Sequence, residues 1–370
     1  MKKGYYIHFQ GRTSIGVSKK IDMQMEEFGK FYDMREIEVE TPERSLVERI
    51  VGLFPVCSIR RNYSQALASI DNPAFLYVRR TVADRAYVGF FQQMKQKFPD
   101  CKIIIEVFTY PYDKDDFGKW NAWPFYFKEL LYRKKLKRYI DRFVTYRQDK
   151  EIFGVPTICT INGINVENIA KVKGEYQKNR IRLIGVAYMQ KHHGYERIIE
   201  GLNEYYQKHD HKYTVELSLV GDGPEKRKYQ ELVEKYGLQD YVRFYPTMSG
   251  AELDEMYDKS DIALASFGMY KLGIFGKIGA LKTRECLAKG MPLMTGCEID
   301  VLDDSYKYVR NFVNSSQAID ISEVIRFYED ITRDCIRKQE IATIIRDYAV
   351  EHISMGSAMK PIIDYIESCK

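Results

Sequence analysis

No run of apolar residues in this chain approaches the roughly 20 needed to cross a bilayer, so no transmembrane helix is predicted. Cysteine is sparse. Its seven occurrences (Cys57, Cys101, Cys159, Cys286, Cys297, Cys335, Cys369) are scattered, and no two form a Cys-x-x-Cys pair. That spacing argues against a zinc site and against a disulfide framework, and reduced structural thiols are expected, as in a cytosol. The charge excess is small, at +5, which does not by itself indicate nucleic-acid binding. Met1-Lys2-Lys3-Gly4 and the strand-like run behind it are too short for a signal peptide. No segment is of low complexity. There is no Gly-x-Gly-x-x-Gly turn, no Walker A loop, and no Asp-x-Asp metal motif at a loop tip in the expected place. Asp115-Asp116 and Asp303-Asp304 read as loop acids, so no metal is expected.

What is present is enough chain for two domains, 370 residues, with strands and helices in alternation. Tyr5-Tyr6-Ile7-His8-Phe9, Ala74 to Val78, Lys102 to Val107, Arg142 to Tyr146 and Thr157 to Ile161 are strand-like. A polar, lysine-rich stretch from Glu167 to Lys178 is the best linker. The pattern then restarts with Ile181 to Ala187, Glu216 to Val220, Tyr241 to Tyr245 and Asp261 to Ala265. Such alternation predicts two α/β domains with parallel sheets, 1–170 and 176–355. Ligands bind beyond the carboxyl ends of strands in such sheets, which makes a cleft between two domains the default site.

Six cations gather in Tyr132-Arg133-Lys134-Lys135-Leu136-Lys137-Arg138-Tyr139-Ile140-Asp141-Arg142-Phe143, which reads as one helix. A solvated face is one reading of it. Contact with an anionic membrane leaflet is the other.

The richest segment is Ala280-Leu281-Lys282-Thr283-Arg284-Glu285-Cys286-Leu287-Ala288-Lys289-Gly290-Met291-Pro292, a helix closed by a Gly-x-Pro turn. A helix N-terminus offers unpaired N–H groups and the positive end of the dipole to phosphate. Lys282 adds charge there, and Glu285 can accept hydrogen bonds from two sugar hydroxyls. Taken alone, a capped surface helix explains it as well. Ahead of it, Ser266 to Ala280 carries Lys271, Lys277, Gly268, Gly273, Gly276 and Gly279. That composition suits a diphosphate leaving group, or a plain surface loop. In Met189-Gln190-Lys191-His192-His193-Gly194-Tyr195-Glu196-Arg197, adjacent histidine side chains should diverge, with no further ligand at metal spacing. Gly11 to Ile21, after the first strand, brings Gly16 to a helix start. Tyr110-Pro111-Tyr112-Asp113 follows a buried strand, with two rings suited to stack on a sugar and an acid suited to its hydroxyls.

The stretch from about Arg180 to Thr295 resembles the C-terminal half of a family-four retaining glycosyltransferase. The resemblance rests on Leu219-Val220-Gly221-Asp222-Gly223-Pro224-Glu225, on Gly237 to Phe244, and on Glu252-Leu253 through Leu264, in the family's order. It implies a GT-B fold, with two doubly wound Rossmann-like domains and a C-terminal helix, about 356–370, packed back on the first. It also implies transfer of a sugar from a nucleoside diphosphate to a carbohydrate or polyprenyl-linked acceptor, with retained configuration. No cofactor beyond the donor is implied, nor any nucleic acid. Gly16, Lys191, His193, Gly221, Lys271, Lys282 and Glu285 would bind the donor. Lys277 and Lys282 would carry catalysis on the leaving group. Tyr110, Tyr112 and Asp113 would lie on the acceptor side. The departing diphosphate would itself deprotonate the acceptor. The setting implied is the cytoplasmic face of a bacterial plasma membrane, in capsule, exopolysaccharide or lipopolysaccharide synthesis, with peripheral contact through 132–143.

The chain departs from the family pattern at three positions. Tyr188 and His193 replace an arginine and a lysine that neutralise the diphosphate. Lys277 stands where a glutamate lies eight positions before Glu285. Lys277 favours one alternative, a non-catalytic sugar-nucleotide-binding or scaffold protein. A GT-B epimerase is the other, although no acid–base pair suggests itself.

Overall fold

A computed structural model describes residues 1–9, 15–43, 45–118, 120–208, 210–302, 305–333 and 337–368. Expectations on Gly11 to Ser14, Asp303-Asp304, Cys335 and Cys369 lie outside the described residues, as does the side chain of Asp115. The chain divides into two compact units, Met1–Gly163 with Met355–Lys370, and Ile164–Ser354.

The first unit holds strands β1 (Lys3–His8), β2 (Asp33–Glu38), β3 (Pro73–Arg79), β4 (Lys102–Val107), β5 (Arg142–Thr145), β6 (Glu151–Ile152) and β7 (Val155–Cys159). They pair in the order β2-β1-β3-β4-β5-β7-β6, all parallel except the β6–β7 hairpin. Strands covered on both faces read as continuous apolar runs, and that is how β1, β3 and β4 stand out. Their side chains alternate between two cores. Tyr5, Ile7, Leu76, Val78, Ile103 and Ile105 enter one. Tyr6, Phe75, Tyr77 and Ile104 enter the other. The second core is completed from the far end of the chain, by Met355, Ala358, Met359, Ile362, Ile363 and Ile366.

The expected helix over 132–143 is broken in three. An α-helix spans Trp123–Tyr132, a 3-10 helix spans Arg133–Arg138, and Arg142 already belongs to β5. The tightening lets Leu136 and Ile140 reach the core just before the strand begins.

The second unit holds β8 (Arg180–Val186), β9 (Thr214–Val220), β10 (Val242–Tyr245), β11 (Ile262–Leu264), β12 (Leu293–Thr295) and β13 (Val309–Asn311). Their order is β10-β9-β8-β11-β12-β13, all parallel. The chain builds outward from β8 in one direction, returns to β11, and builds outward in the other. The switch point between β8 and β11 is where such sheets open a crevice for ligands. The stretch expected to be a linker is laid against this unit. Val166 and Val172 are buried, and Arg346 donates to the carbonyls of Val166 and Ile169 at 2.8 and 2.6 Å. Its polarity reflects one solvated side, with the backbone satisfied by side chains.

Candidate functional site

Loops that follow β8, β9 and β11 meet at this switch point. Met189 N–H donates to the Asp222 carbonyl at 2.5 Å. Phe267 N–H donates to the His193 carbonyl at 2.8 Å, and Gly268 N–H to that of His192 at 3.0 Å. The approach is close enough to require glycine. Gly194 has φ +64°, and a Cβ there would lie 2.6 Å from the Gly268 nitrogen. Gly221 serves β8 in the same way, since its Cβ would lie 2.0 Å from the Ala187 carbonyl oxygen.

His193 is buried within this knot. Its Nδ1 accepts the Gln190 backbone N–H at 2.9 Å, which leaves Nε2 as the protonated nitrogen. Burial, with Lys282 and His192 nearby, lowers its pKa from 6.5 to about 3. It is therefore a neutral hydrogen-bond donor near pH 7, not a cation. The His192 ring does not diverge as expected. It lies 4.2 Å from that of His193, because the 3-10 turn Lys191–His193 brings the two rings together. Among the described residues no group of three or more His, Cys, Asp or Glu stands where it could hold a metal.

On its other side His193 stacks on Tyr195 at 5.7 Å. Lys282 reaches the same tyrosine, with Nζ donating to the hydroxyl at 3.1 Å. Burial lowers the Lys282 pKa from 10.5 to about 8, against the opposing pull of Cys286 and Glu285. Lys282 is the second residue of the helix Leu281–Lys289, whose N-cap Ala280 supplies no side-chain cap. The structure thus brings together a neutral imidazole, a half-buried lysine and an uncapped helix N-terminus. That set can take a phosphate by hydrogen bonding and by charge. Glu285 lies on the same helix, exposed.

Other predicted residues stand apart from this set. Lys191 and Lys277 are exposed. Lys271 is held by the buried carboxylate of Glu196, so its charge is already answered and is not free for a diphosphate as expected. Gly16 is exposed one residue into the helix Ile15–Gly29, with open space around it. Tyr112 is a correction. It is buried in the first unit's core, its hydroxyl donates to Glu129 at 2.6 Å, and the Arg80 guanidinium covers its ring at 3.6 Å. It presents no face to a sugar. Asp113 pairs with Arg133 at 2.6 Å, and half-buried Tyr110 lies 6.0 Å from Phe153.

Sequence reasoning missed Tyr195, which joins His193 to Lys282, and Glu196, which claims Lys271. Both lie in a segment already singled out, but their partners are 87 and 75 residues away, respectively. Arg197 was missed too. It is buried and donates to the carbonyls of Phe267, Val313 and Gln317, at 2.8, 3.0 and 2.6 Å, clamping the loop after β11.

Residues 165–276 match the family model described as Glycosyl transferases group 1. No curated protein matches the chain in sequence. Among solved structures, the chain is similar to a glycosyltransferase from Rickettsia africae, at 11% identity and TM-score 0.59, over 100% of this chain and 98% of the other. It is similar to the lipopolysaccharide outer core galactosyltransferase WaaB, at 13% identity and TM-score 0.52, over 100% of this chain and 99% of the other. It is also similar to an E. coli structure of trehalose-6-phosphate bound with UDP-2-fluoro glucose, at 11% identity and TM-score 0.52, over 99% of each chain. The whole chain therefore has the GT-B glycosyltransferase fold, and its second unit carries the match to glycosyl transferases group 1.

Proposed function

We propose that this protein is a retaining, metal-independent glycosyltransferase that uses a nucleoside-diphosphate sugar. The observation that carries the reading is the convergence of His193, Lys282 and an uncapped helix N-terminus at the β8/β11 switch point, with His193 inside the family-matched residues and the helix beginning just after them. In this reading the His193 Nε2–H donates to the diphosphate and Lys282 supplies its charge. Backbone N–H groups at the start of Leu281–Lys289 complete the cradle. Charge placed there stabilises the leaving group as its bond to the anomeric carbon breaks. Glu285 binds the donor ribose. The acceptor is a carbohydrate or a polyprenyl-linked one, and the product enters a bacterial cell-surface polysaccharide. The alignment with a lipopolysaccharide galactosyltransferase and with a structure holding a UDP-sugar analogue agrees with that choice.

Thermal unfolding with UDP, GDP, ADP and their sugar conjugates tests the site. A ligand at about 100 times its Kd should stabilise by about 2.7 kcal/mol. One nucleotide should act and the others should not, and Glu285→Ala should lose the effect. No shift with any nucleotide would overturn the reading. It would then favour the scaffold alternative, which exposed Lys277 supports. Lys277→Glu with unchanged activity would remove that support.

A further inference from the structure

The helix Trp123–Tyr132 is inverted relative to a surface helix of a soluble domain. Its charged residues Lys128 and Glu129 are buried, at 0% and 1% exposure. Trp123, Phe127, Leu130 and Leu131 face out, at 54%, 45%, 41% and 49%. That spacing is one helical face, and it is apolar. Trp120, just before it, is 86% exposed. The buried residues explain the orientation. Glu129 accepts from the Tyr112 hydroxyl and from Ala83 N–H, both at 2.6 Å. Lys128 Nζ donates to the carbonyls of Phe54 and Cys57.

Those carbonyls end a second exposed apolar segment. The helix Leu46–Val51 buries no residue. Leu46, Val47, Ile50, Phe54 and Val56 are 75%, 69%, 59%, 58% and 67% exposed. Lys128 thus staples two apolar segments side by side. The acid within them, Glu48, is paired with Arg60 at 2.5 Å. Directly after the inverted helix come Lys134, Lys135, Lys137 and Arg138, all exposed. A water-facing protein rarely leaves so much contiguous apolar surface uncovered. Cations along one border, following the last turn of the helix, and tryptophans at or just before its first turn match an anionic lipid interface.

We infer that this face of the first unit docks on an anionic bilayer, with the segments 46–56 and 120–131 seated among the acyl chains and Lys134 to Arg138 over the headgroups. The inference does not depend on the transferase reading and is measured without nucleotide.

The chain has two tryptophans, Trp120 and Trp123, and both lie in this face, so intrinsic emission reports on it alone. Vesicles of equal parts phosphatidylglycerol and phosphatidylcholine should shift the emission to the blue, and brominated acyl chains should quench it. Lys134→Gln and Lys135→Gln should each weaken binding about fivefold. Phe127→Ser with Leu130→Ser should abolish the shift while circular dichroism stays unchanged. Emission unmoved by these vesicles, with the protein left unsedimented, overturns the inference. So does emission already blue in buffer that reddens on dilution as a dimer dissociates, because a second copy would then cover the face.

Discussion

Lys282 is held where burial disfavours its charge. A lysine whose pKa is lowered to about 8 by burial is poised to accept a proton when an anion arrives. The sign follows from linkage. Between about 8 and 10.5 the unfolded chain binds this proton and the folded one does not, so this group's contribution to stability rises with pH across that window. Diphosphate binding raises the folded pKa again, so binding takes up protons near pH 8. Nucleotide affinity should then fall by up to about tenfold per pH unit above about 8. Calorimetry in two buffers of different ionisation heat should register the uptake. Lys282→Met should remove both effects, and affinity flat across this range would refute the assignment. At this scale the sequence was a partial guide. It nominated His193 and Lys282 by position, but burial made the histidine a neutral donor. Tyr112 was misread because Glu129, which engages its hydroxyl, lies a helix further on, as does Arg133, which pairs with Asp113.

Among elements, the turn at Gly194 holds the loops of the site together. Gly194 and Gly237 share nearly the same backbone, φ +64° and +66°, yet a Cβ at Gly237 meets nothing within 4 Å. Gly237→Ala should cost about 1–2 kcal/mol, the left-handed penalty alone. Gly194→Ala should cost more, because its methyl meets backbone of the 267–268 turn, and nucleotide binding should weaken with it. Denaturant unfolding of the two variants measures the difference. Equal losses would mean that the loops after β8 and β11 are not locked together. Buried strands were legible as apolar runs, and so was the edge strand β10, but the edges β2 and β13 were not. β2 is Asp-Met-Arg-Glu-Ile-Glu, with every residue at least partly exposed, and β13 is Val-Arg-Asn. An edge strand is held by its neighbour's backbone and leaves little trace in side-chain pattern.

For the whole molecule, the key fact is that the first unit is not contiguous in sequence. Removing 355–368 should open the second core beside β7, where Ile158 lies, while Phe28 of the helix Ile15–Gly29 still covers Phe75 and Tyr77. Calorimetry should then show the first unit's transition lowered or lost while that of the second, which keeps its residues, persists. A dye that binds exposed apolar surface should bind the truncated chain, and an unaltered first transition would count against the packing described. The order of synthesis gives this arrangement a further consequence. A ribosome that has finished residue 163 must still make the intervening second unit before the closing helix exists. At about 5–20 residues per second, that leaves one face of the first sheet only partly covered, by the helix Ile15–Gly29, for about 10–40 s. The earliest part of the chain to be made is therefore the last to be sealed, and for that interval a nascent-chain chaperone has its natural substrate.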